Sequence, residues 1–354
     1  MFNFIPLIAG AMLVGWIIIW LISHKYLEGG LGKVSKILVP TLFCIMAFIV
    51  VFSLMLPSAS IGLAELFSPD WSLLDNYEIW SAAFGQILFS LSLGFSLAFT
   101  YAGYTGKDSD LITNSIYIVL ANCLFENFAA VGVFSILGYM SLQSGTAVSD
   151  IVTRGTGLIF IVYPTVFNVL GQWAYVLGPI FFFTVYLAGL TSILSMIEPF
   201  SFSIQNKFGL SRKKTMTILI IVGSAASMIF ATSSGDVLIG YVDSFVNQIL
   251  VLFSIVFECI LFSWIFNAEK LIGFLNARSK TIKIGKGWLI IVKYVLPVVI
   301  FLIAIGGLSN MIRAGSSDQL IVIVILSAML LISCLIFTVL PPKNPDWDNV
   351  DERI

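Results

Sequence analysis

The sequence predicts an all-α polytopic membrane protein. Three observations carry that prediction. The 354 residues are 59% hydrophobic, with a mean hydropathy of +1.03. A water-soluble domain of this size cannot bury that much apolar surface, so lipid must be part of its solvent. Charged residues make up 10% of the chain and gather in short clusters between apolar runs. Those runs match the roughly 20 residues that a helix needs to cross a bilayer.

Nine runs qualify: 4–23, 37–57, 79–104, 114–141, 174–200, 214–234, 241–267, 287–308 and 320–340. The first begins almost at Met1, with no basic residue before it and no cleavable signal pattern. The second follows Lys25, Lys33 and Lys36. The third carries FSLSLGFS (89–96) at its centre, where a spanning helix ordinarily has Leu, Ile and Ala. The fourth carries Asn122 and Glu126, four apart and hence on one helix face. A shorter apolar piece, GLIFIVYPTVFNVLGQW (157–173), precedes the fifth and reads as a helical lid at the membrane face. The fifth holds LAGLTSILSMIEP (187–199), where Ala188, Thr191 and Ser192 form a small polar patch. The sixth follows Arg212, Lys213 and Lys214. The seventh has Asp243 at one end and Glu258 in its middle.

Lysine and arginine set the orientation. The 24–36, 201–214 and 268–286 loops are basic; the alternating loops carry only Arg154 and Arg313. The basic set is therefore expected in the cytoplasm, with the C-terminus inside and Met1 outside. A plasma or inner membrane is the expected location.

Composition also excludes. A net charge of −1 without a basic run argues against nucleic acid. The four cysteines all lie in apolar segments without metal-type spacing, and the single histidine, His24, sits at a segment end. No nucleophile–base pair, metal triad or glycine-rich phosphate loop points to an enzyme, and no organic cofactor is implied.

Ser90, Ser92, Gly94 and Ser96 favour unwinding, because serine offers the backbone competing hydrogen bonds and glycine adds freedom. Unwound backbone at mid-membrane is tolerated where it is buried in protein or lines a cavity. A kinked helix packed tightly through its small residues is the alternative. Hydroxyls, an amide oxygen, freed carbonyls and a carboxylate form a hard oxygen set suited to an alkali cation. Glu258 is open to two readings, a proton-linked acid or an interhelical hydrogen bond.

Taken together these segments resemble the neurotransmitter:sodium symporter family, especially bacterial amino-acid members similar to the leucine transporter. GQILFSLSLGFSLAFTYAGY (85–104) looks like its unwound sixth helix, and GGLGKVSKILVPTLF (29–43) resembles the start of the fifth. NCLFENFAAVGVFSILGYM (122–140), GLIFIVYP (157–164) and LAGLTSILSMIEP (187–199) resemble the seventh helix, the extracellular lid and the eighth helix. Asp243, Glu258 and WIFNAEK (264–270) keep the spacing of the tenth. The half-helix argument for an ion at such a break is itself illustrated by that transporter.

The resemblance implies an inverted-repeat transporter fold, here helices equivalent to 4–12 of 12. Residues 1–57 are then the last two helices of the first repeat, and 58–78 an extracellular loop. The complete second repeat is 79–267, the two C-terminal helices 268–340, and the cytoplasmic tail 341–354. A separate N-terminal chain, or a longer reading of the gene, would supply the first three helices.

The resemblance also implies roles. Ser90 and Asn122 match a first sodium site; Ala188, Thr191 and Ser192 match a second. Phe89, Ser92, Phe95, Ser192 and Met196 match an amino-acid pocket. Asp243 matches an extracellular gate and Tyr104 a cytoplasmic one, whose acid is expected near Gln205 and Asn206, where no carboxylate stands. Glu126 stands where chloride-independent members carry a glutamate. The expected function is sodium-coupled amino-acid symport, with a non-transporting truncated paralogue or interaction subunit as the alternative.

Overall fold

The computed structural model describes residues 3–25, 31–106, 108–151, 157, 159–160, 163–164, 167, 171–266 and 268–344. Two compact units alternate along the chain. The first is Met1–Lys25, Asn76–Ile118 and Ser195–Ile354; the second is Tyr26–Asp75 and Val119–Leu194.

Eight helices among the described residues are long and apolar enough to cross a membrane. In chain order the helices are α1 (Pro6–Ser23), α2 (Leu31–Leu54), α3 (Ala59–Phe67), α4 (Tyr77–Ser90), α5 (Leu97–Tyr104), α6 (Leu111–Ser144) and α7 (Val148–Ile151). They continue with α8 (Ala174–Phe208), α9 (Arg212–Ser227), α10 (Gly235–Ile265), α11 (Ala268–Arg278), α12 (Lys286–Arg313) and α13 (Ser317–Val339). α10 contains π-helical turns at Val246–Leu250 and Leu261–Ile265, and α12 one at Ile291–Val295. The all-α, multi-pass character expected from hydropathy is present. The third expected run, 79–104, is two short helices, α4 and α5, rather than one span.

Two stretches read as plain loops contain helices. The 58–78 stretch holds α3 and a 3₁₀ turn at Trp71–Asp75, and the basic 268–286 stretch holds α11. α3 is held by packing in the second unit: a Cβ on Gly62 would lie 1.7 Å from the Phe134 carbonyl oxygen, and one on Gly138 2.5 Å from the Gly62 nitrogen. Lipid tails are as apolar as leucine, so close backbone approach of this kind replaces hydrophobic transfer as the force joining helices.

In the second unit, Ile49 of α2, Ile136 and Tyr139 of α6, and Leu177 and Phe181 of α8 form the core. Tyr163 and Phe167 from the expected lid join it, with the Tyr163 ring stacked 4.0 Å from Phe181. The rest of the lid segment, including any helical continuity, lies largely outside the described residues.

In the first unit, Leu88 of α4, Val251, Ile255 and Cys259 of α10, and Ile300 and Ala304 of α12 form the main core. α1 and α9 are joined by indole hydrogen bonds, Trp16 Nε1 to Ser227 Oγ at 2.9 Å and Trp20 Nε1 to Thr217 Oγ1 at 3.0 Å.

Backbone pairings fix which connections share an end of this unit. At one end Ser233 N donates to Asn3 O and Ile5 N to Ala231 O, both at 2.8 Å. At the other, Arg212 Nε donates to the Ser23 and Lys25 carbonyls, Lys280 N to Asp110 Oδ2, and Lys343 N to Lys207 O. The basic connections of the first unit therefore gather at one end, and the connection between α9 and α10 lies with residues 3–5 at the other.

Candidate functional site: a broken helix and a buried ion pair

The helix breaks where the serines and glycine stand. After α4 ends at Ser90, residues 91–96 form turns and the chain resumes as α5 at Leu97. Ser92 (φ 54°), Gly94 (φ 77°) and Ser96 (φ 57°) all adopt left-handed backbone. For a residue with a side chain that conformation costs roughly 1–2 kcal/mol. Two serines paying it at mid-segment show that the break is held by its surroundings, not by local preference.

Those surroundings lie on α10. A Cβ at position 94 would sit 2.9 Å from the Val251 carbonyl oxygen and 3.1 Å from Ile255 Cγ1. Only glycine fits both the φ and the space. Glu258 of α10 lies beside the Gly94 backbone N–H.

The flanking rings converge. Phe89 and Phe95 meet edge-to-face with centroids 5.9 Å apart across the break. Ser90 closes α4 and Ser92 lies in the turn.

In the second unit the α8 patch converges too. Thr191 Oγ1 donates to the Ala188 carbonyl at 2.9 Å, and Ser192 Oγ donates to the same oxygen at 3.0 Å. These are helical back-bonds of the kind that Ser135 and Thr184 also make. Asn122 and Glu126 lie one turn apart on α6, both half-buried. Among the described residues no cation pairs with Glu126. Met196 lies four residues beyond Ser192 on α8, within the stretch assigned to the first unit. Asp243 is exposed on α10 and accepts from Asn247 Nδ2 at 2.9 Å.

At the basic end of the first unit, Tyr104 donates its hydroxyl to Glu198 Oε1 at 2.8 Å. Glu198 is also bound by Arg212, Nη1 to Oε1 at 2.5 Å and Nη2 to Oε2 at 2.9 Å. The acid side chain is 1% exposed and the guanidinium 10%. Tyr104 thus has a carboxylate partner, but it is Glu198 rather than an acid near Gln205. Gln205 instead donates to Ser201, and the Asn206 carbonyl accepts from Asn344 of the tail. Sequence reasoning quoted Glu198 without giving it a role. A lone acid in an apolar run, followed by an arginine opening the next helix, was the available signal.

Residues 3–341 match the model of the sodium:neurotransmitter symporter family. This chain belongs to that family. Its members are transporters, not enzymes. The chain is 34% identical over 328 residues to an uncharacterized sodium-dependent transporter of Methanocaldococcus jannaschii, covering 93% of this chain and 66% of that protein. It is 25% identical over 269 residues to the sodium- and chloride-dependent creatine transporter 1 of Bos taurus, covering 73% of this chain and 42% of the relative. It is 24% identical over 287 residues to the sodium-dependent serotonin transporter of Drosophila melanogaster, covering 79% and 46%. The chain therefore spans between two fifths and two thirds of the length of these relatives.

Proposed function

We propose that this symporter-family chain takes part in sodium-coupled uptake of an amino acid or related small amine across the cell membrane by alternating access. The observation that carries this reading is the break at 91–96, where Ser92, Gly94 and Ser96 adopt left-handed backbone and Gly94 packs against Val251. An unwound turn exposes backbone carbonyls and N–H groups together, which suits a cation beside a carboxylate.

In this reading Ser90 and Asn122 contribute to one sodium site, and Ala188, Thr191 and Ser192 to another. Phe89, Ser92, Phe95, Ser192 and Met196 line the amino-acid pocket. The placement of Ala188, Thr191 and Ser192 within one turn of α8 supports the second sodium site, and the facing rings of Phe89 and Phe95 support an apolar wall. Glu126 supplies the fixed negative charge that lets the cycle run without chloride.

Tyr104, Glu198 and Arg212 act as the cytoplasmic closure, and Asp243 belongs to the extracellular one. The basic end of the first unit faces the cytoplasm by the charge rule. The shared end of the 24–25, 201–214 and 268–286 connections supports this orientation.

The test is uptake in proteoliposomes, with the protein purified from its own membranes through a tag on the C-terminal tail. A sodium gradient is expected to drive accumulation of at least one amino acid or small amine. Absence of sodium-stimulated uptake across such a panel would exclude the reading.

A further inference from the structure

Lys293 is a cation in an unexpected place. It lies two turns into the membrane-spanning helix α12, roughly 10 Å along the axis from Lys286 at 1.5 Å per residue. Its ammonium nitrogen sits 4.9 Å from the centroid of the Trp264 ring and 5.7 Å from that of Tyr294. The two rings meet edge-on at 5.5 Å. All three side chains belong to the first unit.

The arrangement is built by the backbone. Trp264 lies in the π-helical turn Leu261–Ile265 and Lys293 in the turn Ile291–Val295. The residue four beyond Lys293 is Pro297, which has no N–H to give. The Lys293 carbonyl thus has no α-helical bond from Pro297, and Trp264 Nε1 donates to it at 3.2 Å. One indole therefore meets the carbonyl through its N–H and the ammonium through its face. Single π turns of this kind are frequent at functional positions.

The charge is held but not neutralised. Among the described residues no carboxylate pairs with Lys293. In the neighbouring basic loop Lys283 donates to the Asn276 and Ser279 carbonyls, and Arg278 stacks 3.5 Å from the Phe274 centroid. Trp264 is 57% exposed and Tyr294 50%, so the rings open outward. From Tyr294 an exposed apolar stripe of Val298, Leu302 and Ile305 continues along α12 at helical spacing.

We propose that Lys293, Trp264 and Tyr294 form a binding site for the headgroup phosphate of an anionic phospholipid. The lipid lies in the leaflet at the end of the basic 268–286 loop, with an acyl chain along Val298, Leu302 and Ile305. Indole and phenol rings suit headgroup depth. A lysine near an anionic surface gains from a phosphate partner, and an intramembrane charge without one is costly.

The test is native mass spectrometry of the full detergent-purified chain titrated with dioleoyl phosphatidylglycerol or dioleoyl phosphatidylcholine. The chain is expected to retain the anionic lipid preferentially. Lys293→Gln is expected to lower its apparent affinity about fivefold, the weight of one cation near an anionic surface, while Lys293→Arg keeps it. Should Lys293→Gln fail to fold, Trp264→Leu carries the same expectation. Excess inorganic phosphate is expected to leave the lipid in place. Equal retention of the two lipids, unchanged retention in the folded variants, or displacement by inorganic phosphate would overturn the proposal.

Discussion

Arg212 holds Glu198 with two parallel hydrogen bonds, 2.5 and 2.9 Å, at the end of the first unit where its basic connections gather. Glu198 lies well inside α8 and Arg212 is the first residue of α9, so the pair braces the turn between the two helices. The same guanidinium donates through Nε to the Ser23 and Lys25 carbonyls, and Tyr104 donates to Glu198. One arginine thus ties the ends of α1, α5, α8 and α9.

Removing one member of this buried pair strands the other. Glu198→Gln is expected to destabilise the protein by about 3–5 kcal/mol, the usual cost of leaving a buried charge uncompensated. The double variant Glu198→Gln with Arg212→Gln is expected to recover part of that loss. Thermal unfolding of the three proteins in detergent measures both effects. A single variant as stable as the wild type would show that the pair does not brace this end.

The break makes a sharper prediction through its glycine. Gly94→Ala forces a methyl group to within 2.9 Å of the Val251 carbonyl oxygen at φ 77°. The left-handed backbone alone costs about 1–2 kcal/mol for alanine, and the contact adds to it. Gly85→Ala is the control, because a Cβ there meets nothing within 4 Å in a helical segment. It is expected to be neutral or to stabilise by up to about 1 kcal/mol. Denaturation midpoints of the pair check the contrast.

Much of this was legible in the sequence because the signals are local. Hydropathy marks the spanning helices, and Ser90, Ser92, Gly94 and Ser96 mark the break by composition alone. What escaped depends on tertiary partners. The α3 helix has no side-chain cap at Ser58 and is held by Gly62 against α6. Glu198 finds its arginine only because α8 turns back into α9. Lys293 reads as an ordinary interfacial lysine until two π turns place a tryptophan under it.

Glu126 carries a prediction about ions. If its carboxylate supplies the fixed charge beside the Asn122 sodium site, sodium-driven uptake is expected to persist when chloride is replaced by gluconate. Glu126→Gln is expected to abolish uptake in both media. Flux in the two salts, for both proteins, is the measurement. Uptake by the wild type that fails without chloride would remove this role.

Asp110 links two connections at the basic end. It accepts from Lys280 N at 2.8 Å and from Thr113 N at 3.0 Å, and Thr113 meets Thr281 at 2.6 Å. The Lys280 amide first, then the Thr113 amide, holds the carboxyl down from 3.8 to about 2. The folded state thus binds this proton less readily than the unfolded chain. The stabilisation is fully present above the unfolded value and is lost as pH falls from about 4 to about 2. Asp110→Asn is therefore expected to melt below the wild type at pH 6, with the difference shrinking as pH falls through that window. Melting curves across the acid range test this. A difference that stays constant down to pH 2 would place the effect of the substitution outside ionisation.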